Sequence, residues 1–219
     1  QVLVIEDSHA RGCAANLKLK TSKYNITGYV KPGATTDHIV DTTMDTGNLT
    51  ENDVVVFWGG TNDVGKNNSK QGLQNISKFV NKCNHTNVIV MTVPHRHDLI
   101  SQSCVNKEVS YFNRQLKRRL KPFGNVSVID VDTRRDLYTR HGLHLNGRGK
   151  EIVASQIVEE IERKLRKNAT EAITMGYGEA IGLINERTAA QMEASSDEGA
   201  IRRSERSRRP PQKLSTAFL

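Results

Sequence analysis

The chain has 219 residues, of which 36% are hydrophobic and 26% are charged. This length suits one medium-sized domain with an extension, and the composition is that of a soluble globular protein. The longest apolar runs, such as the one from Val54 to Trp58, are far too short to cross a bilayer, so the sequence predicts no membrane span. The formal net charge of +8 suggests attraction to polyanions, although Lys and Arg scattered over solvated helix faces are the commoner cause of such a charge.

Short β-rich runs alternate with helical stretches along most of the chain. In chain order, the sequence predicts a strand at Val2–Ile5, a helix at His9–Lys20, a strand at Ile26–Val30, a helix at Thr35–Asp45, a strand at Val54–Trp58, a helix at Ser69–Lys82, a strand at Val88–Val93, a helix at Cys104–Leu120, a strand at Val126–Val131 and a helix at Gly149–Arg166. The run Val54–Trp58 shows no polar alternation, so both faces of that strand should be buried. The helix at Ser69–Lys82 places its apolar side chains on one face, at Leu73, Ile76, Phe79 and Val80.

This alternation predicts an α/β fold. Five strands joined by helices require right-handed crossovers, which place the strands in a parallel sheet with helices on both faces. We expect a three-layer, flavodoxin-like sandwich with strand order 2-1-3-4-5. In such sheets the ligand binds beyond the carboxyl ends of the strands.

The periodic pattern ends near Lys167, so we divide the chain into a domain at residues 1–167 and an extension at residues 168–219. The extension should be largely disordered, with at most one loose helix around Ala189 to Ala194. It carries a basic cluster formed by Arg202, Arg203, Arg206, Arg208, Arg209 and Lys213. Such a cluster predicts weak contact with nucleic acid.

Two candidate site residues follow the first two strands. Ser8 comes directly after the first strand, where its hydroxyl would lie at the edge of the sheet near the positive end of a helix. The simpler explanation is that Asp7 or Ser8 caps that helix. Gly33 follows the second strand and would leave a backbone N–H open to a ligand, although an ordinary turn glycine is the commoner explanation of this residue taken alone.

Further candidates follow the third strand and precede the last helix. Gly60-Thr61-Asn62-Asp63 would allow close backbone approach to a ligand, with Asn62 as an amide donor; a simple turn is the alternative. The segment from His141 to Asn146 places His144 on a loop that can face the cleft, or leaves it as a surface histidine.

Together these motifs resemble the SGNH hydrolase family, the GDSL-like esterases and lipases, which is named for its Ser, Gly, Asn and His blocks. The matching blocks are Asp7-Ser8, Gly33, Gly60-Thr61-Asn62-Asp63 and Gly142-Leu143-His144-Leu145-Asn146. The resemblance covers about Val2 to Lys167, and the third and last blocks are its most specific parts.

The resemblance implies a serine hydrolase that cleaves carboxylic esters without a metal or another cofactor. Ser8 would be the nucleophile and His144 the general base. The oxyanion hole would be formed by the backbone N–H groups of Ser8 and Gly33 and by the side chain of Asn62. Asp7, Asp63 and His141 would occupy supporting positions around this site.

The chain departs from the family pattern at two positions. Glu6 stands where the family usually has glycine, and it could crowd the turn or bring negative charge toward the oxyanion. His141 stands where the family usually has an aspartate that orients the catalytic histidine. Asp132, Asp136 or a backbone carbonyl could substitute for that acid, which in the last case leaves a Ser–His dyad.

A narrower resemblance concerns the segment Asp7-Ser8-His9-Ala10-Arg11-Gly12 and the segment around His144, which are similar to SGNH domains encoded in insect retroelement-type open reading frames. This resemblance implies a second hypothesis, a catalytically weakened module that associates with nucleic acid. A third hypothesis is a secreted carbohydrate O-acetyl-esterase. Metal binding by His95 and His97 is a weaker possibility because no third ligand is evident.

The predicted location is cytoplasmic rather than secreted. Cys13, Cys83 and Cys104 form no metal-binding pattern, and their odd number favours free thiols in a reducing compartment. The sequons at Asn25, Asn75 and Asn125 are the counter-evidence. Because the chain begins at Gln1 inside a predicted strand, we expect its natural N-terminus to lie further upstream.

Overall fold

The computed structural model describes residues 1–41 and 46–166 of the chain. The described strands are β1 (Val2–Glu6), β2 (Ile26–Val30), β3 (Val54–Trp58), β4 (Asn87–Met91) and β5 (Val126–Ile129). They pair in parallel in the order β2-β1-β3-β4-β5, which confirms the predicted sheet and its topology.

The helices connect successive strands and cover both faces of the sheet. They are α1 (Cys13–Lys20), α2 (Thr36–Asp41), α3 (Thr61–Gly65), α4 (Ser69–Lys82), α5 (Cys104–Leu120) and α6 (residues 147–166). The bounds of α4 and α5 are those predicted. One face of the sheet packs mainly on α1 and α6, and the other on α2 to α5.

The core positions predicted on β3 and α4 are buried. All five residues of β3 are inaccessible to solvent, as expected for a strand that is covered on both faces. The apolar face of α4 is buried at each of its four predicted positions. Contacts on the two faces form two apolar clusters separated by the sheet.

The predicted helix from His9 to Lys20 is wrong as a single element. The chain forms a short 3₁₀ turn at Ser8–Ala10, and α1 begins only at Cys13. Gly12 lies between them with φ of 88°, a left-handed conformation that interrupts a right-handed helix. The nucleophile candidate therefore begins a tight turn rather than a regular α-helix.

Strands β4 and β5 are shorter than predicted. Their sequences remain β-rich as far as Val93 and Val131, but the regular backbone hydrogen bonds between the two strands end earlier, where the Thr92 side chain takes part instead. The Val131 N–H donates to the Thr92 hydroxyl at 2.9 Å instead of to a strand carbonyl. Both strands therefore end before the polar loops that lie at this edge.

Two of the sequon asparagines have structural roles. Asn75 is buried, and its amide donates to the Thr36 hydroxyl at 3.1 Å. The Asn125 amide donates to the carbonyls of Cys83 and Thr86. Attachment of a glycan at either position would disrupt these contacts, which weakens the argument from sequons.

Several sequence predictions lie outside the described residues. These are the end of the predicted helix at residues 42–45, the disorder of the extension, its loose helix and its basic cluster. Across the described ranges, no helix is sufficiently long and apolar to span a membrane.

Candidate active site

Ser8 lies at the carboxyl edge of the sheet, two residues beyond the end of β1. The capping role that competes with catalysis belongs to Asp7, whose carboxylate accepts a hydrogen bond from the His9 N–H at 2.9 Å. Within the described structure, the Ser8 hydroxyl makes no hydrogen bond with another protein group. The Ser8 side chain is half-buried, and its unbonded hydroxyl is available to react.

A cavity of about 560 Å³ opens at this edge, and we call it the Ser8 cavity. It is lined by Ser8, His9, Arg11, Pro32, Gly33, His144 and Lys150. Three of the predicted site residues, Ser8, Gly33 and His144, therefore line the same cavity. The Ser8 and His144 side chains are not hydrogen-bonded to each other here, and such bonds are often long in unliganded enzymes.

The backbone N–H groups of Ser8 and Gly33, which both lie at the cavity, donate no hydrogen bond to a backbone acceptor in the described part of the chain. Asn62 is not a lining residue of the Ser8 cavity. Its side-chain amide donates to the Ala34 carbonyl at 2.9 Å, which ties it to the turn that contains Gly33. An amide carries two hydrogens, so one donor of Asn62 remains for an oxyanion.

Asp63 holds the segment beyond Gly33 in place. Its buried carboxylate accepts hydrogen bonds from the backbone N–H and the hydroxyl of Thr36, both at 2.9 Å. Burial raises the pKa of Asp63, and the two Thr36 hydrogen bonds counteract that effect. Asp63 directly follows Asn62, and Thr36 lies three residues after Gly33. The hydrogen bonds between Asp63 and Thr36 therefore hold these two segments of the predicted oxyanion hole together.

We expect Asp63→Ala to lower the free energy of unfolding by about 2 kcal/mol, because it leaves the buried Thr36 N–H without an acceptor. Urea unfolding of the two proteins measures this difference. Asp63→Asn, which retains an acceptor oxygen, is the matched control and should lose less. A change below about 0.5 kcal/mol in the alanine variant would contradict the positioning role.

His144 lies on the loop that leads into α6. The loop is anchored by Asn146, whose side chain donates to the Asp136 and Tyr138 carbonyls and accepts from the Gly149 N–H. Burial lowers the pKa of His144, and the nearby cations Lys150 and Arg11 lower it further. A neutral imidazole at physiological pH is the form that a general base requires.

His9 contacts the ring of His144 and was not identified from the sequence. The two ring centroids are 4.7 Å apart, with the planes tilted by 31°. Burial, His144 and Arg96 lower the pKa of His9 to about 4, while Asp98 and a hydrogen bond to the backbone of Leu143 act in the opposite direction. His9 is therefore a neutral, fixed ring that limits the orientations open to His144.

The acids predicted to orient His144 do not contact it. Asp132 accepts hydrogen bonds from the backbone and side chain of Arg134, and Asp136 pairs with Arg148 at 3.5 Å. His141 is exposed. Within the described residues, the His144 ring makes no hydrogen bond with a carboxylate.

The carboxylate that favours the charged form of His144 is Asp98, from the segment beyond β4. Asp98 forms a two-pronged ion pair with Arg96, at 2.7 and 2.6 Å. The segment packs closely on the His144 loop: the His97 N–H donates to the Gly142 carbonyl at 3.0 Å, and a Cβ on Gly142 would lie 2.6 Å from the His97 carbonyl carbon. This loop pair places a charged Arg–Asp couple beside the two histidines.

Glu6 is buried next to Asp7, with 1% of its surface exposed. Within the described structure neither of its carboxylate oxygens has a hydrogen-bond partner. Burial raises the pKa of Glu6 to about 8, with a further contribution from Asp7 and an opposing one from Lys150. At neutral pH the side chain is therefore mostly protonated and brings little negative charge toward an oxyanion.

His95 and His97 stack edge to face, 4.7 Å apart, and His97 also contacts Tyr138. The described residues contain no group of three or more His, Cys, Asp or Glu side chains that could hold a metal ion. These histidines therefore pack as aromatic rings between the two loops.

The fold is shared with several solved structures. No protein-family model and no curated protein matches the sequence. A GDSL-like lipase from Bacteroides thetaiotaomicron matches with a TM-score of 0.60 at 18% identity, over 74% of this chain and 87% of that one. The chain has the fold of GDSL-like acylhydrolases.

Two further structures share this fold. A lipase/acylhydrolase from Enterococcus faecalis matches with a TM-score of 0.58 at 16% identity, over 74% of this chain and 95% of that one. An acetylxylan esterase from Geobacillus stearothermophilus matches with a TM-score of 0.56 at 15% identity, over 73% and 93% of the two chains. The TM-scores show a common fold, and at these identities the roles of individual residues rest on the geometry described above.

Proposed function

We propose that this protein is a serine hydrolase that cleaves carboxylic esters, with Ser8 as nucleophile and His144 as general base. The observation that carries the proposal is the Ser8 cavity, into which an unbonded serine hydroxyl and a histidine with a lowered pKa both face. The GDSL-like fold supports it, because the cavity lies at the carboxyl edge of the sheet.

The reaction follows from these groups. The Ser8 oxygen attacks the ester carbonyl while its proton passes to His144, and the resulting oxyanion is stabilised by the N–H groups of Ser8 and Gly33 and by Asn62. The alcohol then leaves with the proton from His144. A water molecule then gives a proton to His144 and attacks the acyl carbon. The bond to the Ser8 oxygen breaks as His144 passes that proton to Ser8, which releases the carboxylic acid.

The missing carboxylate partner of His144 favours a Ser–His dyad over a full triad. Loss of that acid in a serine triad lowers turnover by about 10⁴. We therefore expect a modest catalyst, in which His9 supplies orientation but no counter-charge. Small acyl groups are the first substrates to test, since one of the structural neighbours is an acetylxylan esterase.

Labelling with a fluorophosphonate probe tests the nucleophile directly. The wild-type protein should be labelled on Ser8, and both Ser8→Ala and heat-denatured wild-type protein should not. Hydrolysis of short-chain p-nitrophenyl esters by the same samples provides the activity readout. Labelling of Ser8→Ala at the wild-type rate would contradict the assignment.

A second candidate function is a catalytically weakened module that associates with nucleic acid in a retroelement-derived protein. The departures at Glu6 and His141 and the basic cluster of the extension favour it. The three structures named above lend no support to a retroelement origin. Absence of labelling, together with salt-sensitive RNA binding that is lost on removal of residues 202–213, would favour this candidate. A reducing, cytoplasmic location remains our prediction for either function.

A further inference from the structure

The charged side chains that line the Ser8 cavity are both cationic. Arg11 and Lys150 form part of its wall, and no acidic residue lines it. The Lys150 ammonium is held there because it donates to the Arg11 carbonyl at 3.0 Å. Neither side chain forms an ion pair within the described part of the chain, so both charges remain available to a ligand.

A second cavity, of about 410 Å³, adjoins the first and shares Pro32 and Gly33 with it. We call it the Lys31 cavity, and its remaining lining residues are Val30, Lys31, Ala34, Thr35, His38 and Lys66. Its wall also contains cations and no carboxylate, and Lys31 is fixed by a hydrogen bond to the His38 carbonyl at 3.1 Å. Positive side chains therefore lie on both sides of Gly33.

The acidic groups that neighbour or interact with the lining residues of the Ser8 cavity do little to offset this charge at neutral pH. Asp98 is already paired with Arg96. Burial raises the pKa of Glu6 to about 8 and that of Asp7 to about 7, so both carboxyl groups are at least partly protonated. A cleft lined by one sign of charge concentrates ligands of the opposite sign.

We propose that the preferred substrate is an ester that carries an anionic group, a carboxylate or a phosphate-type group, bound by Arg11 and Lys150 beside the reacting carbonyl. This inference rests on the proposed hydrolase function and names its substrate class. Arginine binds carboxylate and phosphate oxygens in two-pronged geometry, and lysine adds a point charge.

The bound anion also lies near the catalytic base. Arg11 and Lys150 both face His144 and disfavour its protonated form. A substrate anion seated between these cations neutralises them, so His144 accepts the Ser8 proton more readily. Anionic esters should therefore show a higher kcat as well as a lower KM.

The test compares three activated esters at pH 7 and low ionic strength: methyl 4-nitrophenyl terephthalate, its free-acid form mono-4-nitrophenyl terephthalate, and the 4-nitrophenyl ester of 4-phosphonobenzoic acid. The para position keeps each anion from attacking its own ester carbonyl. We expect kcat/KM to be at least ~10-fold higher for one or both anionic esters. The attraction between close opposite charges at a partly enclosed site is strong enough to change a rate or binding constant by more than this factor. The preference should shrink in 0.5 M NaCl.

Arg11→Gln and Lys150→Gln should each reduce the preference by about threefold or more. Lys121→Gln is the matched control, since Lys121 is an exposed lysine that precedes β5 at the opposite edge of the sheet. Equal kcat/KM for the neutral and both anionic esters, with hydrolysis that still depends on Ser8, would overturn the inference and leave the proposed function standing.

Binding to Ser8→Ala provides a readout that is independent of turnover. Titration calorimetry should show tighter binding of the anionic esters than of the neutral ester, and Arg11→Gln in the same background should reduce the difference by about threefold or more. If the wild-type protein hydrolyses none of the esters but Ser8→Ala binds the anions selectively, the hydrolase proposal fails and the anion site stands. Absence of selective binding refutes the anion site.

Discussion

Replacing either Ser8 or His144 with alanine should lower kcat/KM on an activated ester by at least ~100-fold. A complete serine triad contributes about 10⁶ to turnover, and loss of its acid removes about 10⁴ of that. His144 has no carboxylate hydrogen bond in the described structure, so about 10² remains for the Ser–His pair to supply. Steady-state kinetics on p-nitrophenyl acetate measure the loss.

The two variants should be equally impaired, and the double variant should be no worse than either, because the two residues act as a unit. Ser22→Ala, an exposed serine between α1 and β2 at the opposite edge of the sheet, is the control and should retain wild-type activity. Melting curves establish that the variants are folded. Retention of more than about a third of the activity in Ser8→Ala would refute the assignment.

The pH profile gives an independent measure of the base. Because the pKa of His144 is lowered, the acid limb of kcat/KM should have its midpoint below the ordinary histidine value of 6.5. Protonation of His144 removes the base, so activity is present above this midpoint and is lost as the pH falls through it. A midpoint above 6.5 would indicate that a counter-charge, rather than burial and cations, dominates at His144.

Glu6→Gln should stabilise the protein in neutral and alkaline solution. The folded-state pKa of Glu6 is about 8 and its ordinary value is 4.5, so the native state holds a proton that the unfolded state has released. Between these values unfolding releases a proton, and stability falls as the pH rises. Glutamine cannot ionise, so Glu6→Gln removes the free-energy cost of keeping a buried carboxyl protonated or ionised above its ordinary pKa.

The size of this effect follows from 1.36 kcal/mol for each unit of pKa. The difference between Glu6→Gln and wild-type protein should be near zero at pH 4, up to about 3 kcal/mol at pH 7 and up to about 4–5 kcal/mol above pH 9. Urea unfolding across this pH range measures it. Glu159→Gln, at an exposed glutamate of α6, is the control and should change stability by less than about 0.5 kcal/mol at each pH.

A pH-independent difference between Glu6→Gln and wild-type protein would refute the ionisation argument, since packing or amide hydrogen bonds do not titrate. If the wild-type protein were more stable than Glu6→Gln at pH 9, the Glu6 carboxylate would be ionised and its charge balanced by a nearby cation, with Lys150 as the first candidate. The activity of the same variant separates the two effects expected of Glu6 at the turn, because Gln keeps the volume of Glu but removes its negative charge.

Much of the fold was predictable because its signals are local. Apolar runs without alternation identified the buried strands, and apolar spacing on α4 and α5 gave their bounds. Errors occurred where tertiary contacts or a single backbone conformation override local preference. Gly12 interrupts the first helix, and the Thr92 hydroxyl takes the place of a strand carbonyl at the end of β5.

The sequence by itself determined the parallel sheet and the edge of it at which Ser8, Gly33, Asn62 and His144 lie, because strand polarity brings all carboxyl ends to one edge. The strand order agreed with expectation, but strand polarity does not determine it. Only the tertiary structure decided what surrounds those residues. The packing of His9 on His144, the burial of Glu6 without a partner and the cationic wall of Arg11 and Lys150 depend on contacts between segments far apart in the chain. Burial and charge at a given atom are set by all neighbouring segments at once, and no local pattern of residues records them.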